Sequence, residues 1–184
     1  HNTTRRQRQM CIRDSFSGTW NDCTGLSTFP VLDTSSGTNF GATWRDCTEL
    51  STFPILNFSS ATNFAGAWDR TFSLTTYPAN QFDTTGILTT SAFASAWRGG
   101  SLNAQSIENV VTSLDRNGSQ NITLSFDKGT NPLSTIADAT TWSTDAIIAY
   151  RNLNNKGWTI TQRGTPSMSD LEYTINTSGT FTLR

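Results

Sequence analysis

A 24-residue phrase occurs twice in nearly the same words. Residues 16–39 read F-S-G-T-W-N-D-C-T-G-L-S-T-F-P-V-L-D-T-S-S-G-T-N, and residues 40–63 read F-G-A-T-W-R-D-C-T-E-L-S-T-F-P-I-L-N-F-S-S-A-T-N. A third copy opens at Phe64 and keeps Trp68, Leu74, Tyr77 and Pro78; a fourth opens at Phe93 and keeps Trp97. A unit this short cannot bury its own apolar face. The units must therefore stack on one another as coils, rather than surround one central pocket.

Each copy divides into two halves. Phe40, Trp44 and Cys47 stand at i, i+4 and i+7, as do Phe16, Trp20 and Cys23, which predicts a short helical arm with one apolar face. Asn39 and Asn63 precede the arm as caps. In the second half, Leu50, Phe53 and Ile55 are expected to point inward from a short extended segment, with Thr52 and Pro54 outward. The links D-T-S-S-G-T-N and N-F-S-S-A-T-N are polar and turn-forming.

The pattern loosens toward the C-terminus. Extra residues before Phe93 stretch the period from 24 to 29. Ile107, Val110, Val111 and Leu114 mark a longer helix capped near Asn103, followed by an N-G turn and a strand over 122–126. Ser143 caps a second helix with Ile147, Ile148 and Leu153 on its apolar face. Gly157 stops that helix, and a strand follows over 158–161. The expected fold class is α/β: a solenoid with a short parallel sheet and one helical turn per coil, and longer helices in the last coils. The strands at 50–53, 74–77, 122–126 and 158–161 should then form one sheet in chain order.

The segment D-T-S-S-G-T-N-F-G-A-T-W-R-D-C-T-E-L resembles the BspA-like leucine-rich repeats of bacterial surface proteins, in the subgroup with a D-T-S-x-V-T-N-M-x-x-M-F-x-x-C-x-x-L phrase. Asp33, Thr34, Ser35, Thr38, Asn39, Cys47 and Leu50 match it directly, with Phe40 for the Met and Trp44 for the aromatic residue. The likeness covers about residues 16–100. It departs from the family in the shortness of the array and the Pro in the strand. The resemblance implies a leucine-rich-repeat module on a secreted, cell-surface or phage-associated protein, acting in adhesion or binding. It supplies no catalytic residues.

The chemistry of the chain agrees with a non-enzymatic reading. Its one histidine is His1, so the repeats contain no triad, His-metal site or imidazole acid–base pair. No G-x-S-x-G, P-loop, calcium-loop or cofactor phrase is present. Asp22, Asp46 and Asp69 recur about once per coil and read as solvated turn acids rather than a glycosidase pair. Trp20, Trp44, Trp68 and Trp97 read as a core ladder; a sugar-stacking platform is the alternative. Cys23 and Cys47, 24 apart, read as small buried groups in adjacent coils, with a disulfide as the minority reading. With 15% charged residues and a net charge of −1, the 184-residue chain has no electrostatic case for nucleic acid. No run is long and apolar enough for a transmembrane helix.

The candidate contact surface is the outward strand face: Thr28, Pro30, Thr52, Pro54, Thr76 and Pro78. These residues are alike in each copy, which suits a repetitive ligand such as a glycan, or a host or cell-surface protein. The main expectation is an extracellular adhesion or ligand-binding module, a monomer without cofactor or metal. The alternative is a structural spacer in a large bacterial surface or phage virion protein. Residues 1–15 read as a disordered or non-native leader, 16–161 as the solenoid (16–39, 40–63, 64–92 and 93–161), and 162–184 as a linker and the start of a β segment. The chain reads as a fragment of a longer protein.

Overall fold

The computed structural model describes residues 14–126 and 142–162. The leader up to residue 13, the segment 127–141, and the expected linker and β segment from residue 163 lie outside the described residues.

Backbone hydrogen bonds join successive copies. The amides of Phe16, Gly18, Trp20 and Asp22 donate to the carbonyls of Asn39, Gly41, Thr43 and Arg45. Those of Phe40, Ala42, Trp44 and Asp46 donate in turn to Asn63, Ala65, Ala67 and Asp69. Phe64, Gly66, Trp68 and Arg70 donate likewise to Ala92, Ala94, Ala96 and Arg98. The intervening amides fold back within their own coil: Thr43 to Phe40, Arg45 to Ala42 and Cys47 to Trp44, each at 3.3 Å.

The aromatic arm is therefore a run of turns, not the short helix its spacing suggests. Every second N–H is directed to the neighbouring coil, so an i→i−4 ladder cannot form. The backbone also passes twice through the left-handed region, at Ala42 (φ 53°) and Asp46 (φ 60°). The same positions in the other copies, Gly18 and Asp22, Gly66 and Arg70, Ser95 and Gly99, do the same. Positive φ at the third residue is what a type II turn needs and what a right-handed helix excludes. Asn39 and Asn63 cap turns instead: their Oδ1 atoms accept from Gly41 and Ala65 at 2.9 and 3.0 Å.

Residues four apart still share a face, so the aromatics form continuous columns. Trp20, Trp44, Trp68 and Trp97 stack in chain order with centroids 6.0, 5.4 and 4.9 Å apart. Phe16, Phe40, Phe64 and Phe93 form a second stack. Phe29, Phe53 and Tyr77 form a third, each ring set nearly perpendicular between two successive tryptophans. Trp44, Trp68 and Trp97 are fully buried, while Trp20, in the first coil, is half-buried. Each such pair contributes about 0.5–1.5 kcal/mol beyond its buried area.

In the second half of the copy, Leu50 and Phe53 point inward, but Ile55 does not: it is 61% exposed, and Leu56 takes the inward place. Gln81 in the next copy fixes Leu56 there: its buried amide accepts from Leu56 N (3.1 Å) and donates to Leu56 O (2.7 Å).

The extended segments do not form one sheet. Parallel bridges link Thr28, Thr52 and Thr76 in one column, and Ser15, Asn39 and Asn63 in another. Strand β1 (Thr123–Phe126) bridges to Phe93 and pairs in parallel with β2 (Thr159–Gln162). It thus continues the column of the aromatic arm, not that of residues 74–77. Ser15 and Asp14, expected in the leader, belong to the stack, because Ser15 lies 24 residues before Asn39 and Asp14 O accepts from Thr38 N at 3.0 Å.

Helices occupy the other half of the last coils. Helix α1 (Ala104–Asn117) starts at Asn103, whose side chain accepts from Ser106 N, and ends at Gly118 with φ 81°. Helix α2 (Thr144–Asn155) starts at Ser143 and is followed by Gly157 at φ 79°. Helix α1 and the turn that follows it lie beside the outgoing segment of the third copy and supply it with side-chain acceptors in place of a further coil. The hydroxyls of Ser106, Ser113 and Ser119 accept from Tyr77 N, Phe82 N and Leu88 N. Helix α2 packs on α1: the buried Glu108 accepts from the N–H and hydroxyl of Ser143, and Lys156 pairs with Asp115.

Candidate functional site

The six residues of the candidate surface fall on one strip. Thr28, Thr52 and Thr76 are exposed and bridged in register; Pro30 is exposed, and Pro54 and Pro78 are half-buried. Ser51 ties the column together by donating from both N–H and Oγ to Ser27 O, at 3.0 and 3.1 Å. Beyond the third copy the column meets the start of α1, where Asn103 N and Ser106 Oγ donate to Thr75 O. Beside the prolines, Val31 and Ile55 stand 75% and 61% exposed. Sequence reasoning placed Ile55 inside and so missed this apolar margin.

The strip carries no charge. Its threonines sit at the spacing of a parallel ladder, about 4.8 Å per coil, and each hydroxyl can donate and accept. Such a surface suits a neutral ligand with hydroxyl and apolar parts, and offers no cation to a phosphate or a carboxylate.

The recurring acids do structural work. Asp69 is 2% exposed and receives Arg98 through two bonds, Nε to Oδ1 at 3.0 Å and Nη2 to Oδ2 at 2.6 Å, with Arg45 at 3.6 Å. Asp46 pairs with Arg70 and Arg45. The expectation of solvated turn acids thus holds only for Asp22, which is exposed and accepts from the Asn21 amide. The signal for this network was present in the alternation of Arg45, Asp69 and Arg98 at one repeat position.

Cys23 and Cys47 are free thiols. Cys47 donates to Trp20 O at 3.1 Å, and burial, with Cys23 beside it, pushes its pKa up to about 11. A thiol held protonated at neutral pH is a poor nucleophile. Among the described residues no three His, Cys, Asp or Glu side chains are grouped to hold a metal, and no helix is long and apolar enough to cross a membrane. An open cavity of about 210 Å³ lies between α1 and α2, lined by Thr112, Asp115, Arg116, Asp145, Ile148 and Ala149. Two of its charges are answered within the fold, Asp115 by Lys156 and Arg116 by Asp83. No protein-family model, curated protein or solved structure matches the chain.

Proposed function

We propose that the chain is a non-enzymatic binding module of the leucine-rich-repeat type, working outside the cell or at a cell surface. Its contact face is the strip of Thr28, Thr52 and Thr76 with Pro30, Pro54 and Pro78. The observation that carries this reading is the exposed threonine column, held in register by backbone bridges and free of charge. A ligand of matching repeat, a glycan chain above all, meets the same pair of groups at each coil. The alternative, a structural spacer in a large surface or virion protein, draws support from the aromatic columns, which make the stack stiff.

A glycan-array screen of the chain and of Thr52→Arg tests the choice. The substitution is at an exposed site and costs at most about 0.5 kcal/mol of stability. A signal present in the original chain and lost in Thr52→Arg supports the strip. A signal kept in the variant places binding elsewhere, and silence from both favours the spacer.

A further inference from the structure

We propose that the threonine strip selects its glycan by physical state. It takes a neutral, unbranched, β-linked polysaccharide whose chains already lie straight and packed in a solid, in preference to the same chain free in solution. This rests on the binding reading above and adds to it the class of ligand.

The strip is flat. Phe29, Phe53 and Tyr77 directly follow its threonines in the chain, and their rings lie nearly perpendicular to those of the tryptophans. Any rotation of one coil on the next must turn at least one of these two ring sets. From the first coil to the second, the Trp20 and Trp44 planes differ by 6° and those of Phe29 and Phe53 by 10°. From the second to the third, the differences are 11° for Trp44 and Trp68 and 7° for Phe53 and Tyr77. Neighbouring strands of an ordinary sheet turn by about 20–25°, and flat sheets occur where side-chain stacking holds them so.

Three straight ranks run along this face. They are Thr28, Thr52 and Thr76; Pro30, Pro54 and Pro78; and Val31, Ile55 and Ala79, the last three all exposed. A β-linked pyranose carries its hydroxyls around the ring edge and its C–H bonds on the ring faces. Laid along the strip, such a chain sets its edge against the threonines and a C–H face against the prolines and the aliphatic rank. A flat face cannot wrap a flexible chain. Each linkage of a free chain would have to be immobilised for the sake of three small contacts, which costs affinity. A chain held straight in a solid has already lost that freedom.

The test is retention of the full chain by crystalline cellulose or chitin, by the same solids swollen to an amorphous form, and in competition with the soluble hexasaccharides. Retention on a crystalline solid should exceed that on its amorphous form by about tenfold, as preorganisation of a few linkages provides, and the hexasaccharide should displace little. Thr52→Arg should abolish retention, while Asn154→Arg, the same charge placed on α2, should keep it. Equal retention on crystalline and amorphous forms, lost in Thr52→Arg, would overturn selection by physical state and leave the strip as a glycan site. No retention on any solid, or retention kept in Thr52→Arg, would overturn both readings. Arrest of ice growth that is lost in Thr52→Arg, without retention on the solids, would assign the flat array to ordered water instead.

Discussion

Tyr77 lies on Phe53 with ring centroids 5.5 Å apart and planes 7° from parallel, yet its buried hydroxyl has no hydrogen-bond partner among the described residues. The column holds Phe at its other two places, Phe29 and Phe53, where the ring alone is sufficient. The phenol oxygen has lost its water without gaining an acceptor. Tyr77→Phe should therefore stabilise the chain by about 1 kcal/mol, the lower end of what an unsatisfied buried group costs. An increase in the urea midpoint at unchanged slope is the expected result. A decrease would mean that the hydroxyl has a partner.

Ala42 holds φ 53°, at a position where the first and third copies have Gly18 and Gly66, both at 64°. A left-handed conformation costs an L-residue about 1–2 kcal/mol, and glycine about nothing. Glycine loses more entropy on folding, which offsets part of the gain. Ala42→Gly should still stabilise by about 0.5 kcal/mol. The reverse change, Gly66→Ala, should destabilise by about 1 kcal/mol. Thermal melts of the two variants should move in opposite directions.

These two positions also show how far the sequence carried. The interval between Phe40 and Trp44 identified which side chains share a face, because helix and turn ribbon both bring residues four apart together. It misidentified the backbone. Gly18 and Gly66 inside the arm were the available sign that a helix was wrong. The caps Asn103 and Ser143 were legible because capping is local. The inward turn of Leu56 was not, since Gln81, 25 residues on, fixes it. The candidate strip was legible in Thr28, Thr52 and Thr76, but its apolar margin at Val31 and Ile55 was not, because strict alternation from Phe53 places Ile55 inside. The pairing of β1 beside Phe93 likewise rests on contacts that no short window contains.

Ser113 tests how α1 substitutes for a coil. Its fully buried hydroxyl accepts from Phe82 N at 2.7 Å and donates to Asp83 Oδ1 at 2.6 Å. Ser113→Ala removes the acceptor and leaves the Phe82 amide buried and unpaired. The expected loss is about 1–3 kcal/mol. Gln105→Ala, on the exposed side of the same helix, should stay within about 0.5 kcal/mol. Chemical denaturation of the two variants separates a bonding role for the serine from a mere helix effect.

Alkaline pH should unfold the chain through buried groups that are neutral when protonated, Cys47 and Tyr77 among them. Burial raises Cys47 from 9.0 to about 11, with the neighbouring Cys23 adding to it. Burial alone raises Tyr77 well above 10.0. Both groups are neutral when protonated, and both release their protons more readily from the unfolded chain. Their contribution is therefore complete below the unfolded value and is lost as pH rises through the folded one. Under reducing conditions the unfolding free energy should hold steady up to pH 9 and fall between 9 and about 11, where Cys47 titrates. Tyr77 extends the fall upward from 10. Cys47→Thr places at this site the residue that Thr71 provides in the third copy. It should delay the onset, leaving the decline to begin with the tyrosine. A profile that keeps its onset at pH 9 in Cys47→Thr would assign the early loss to another group.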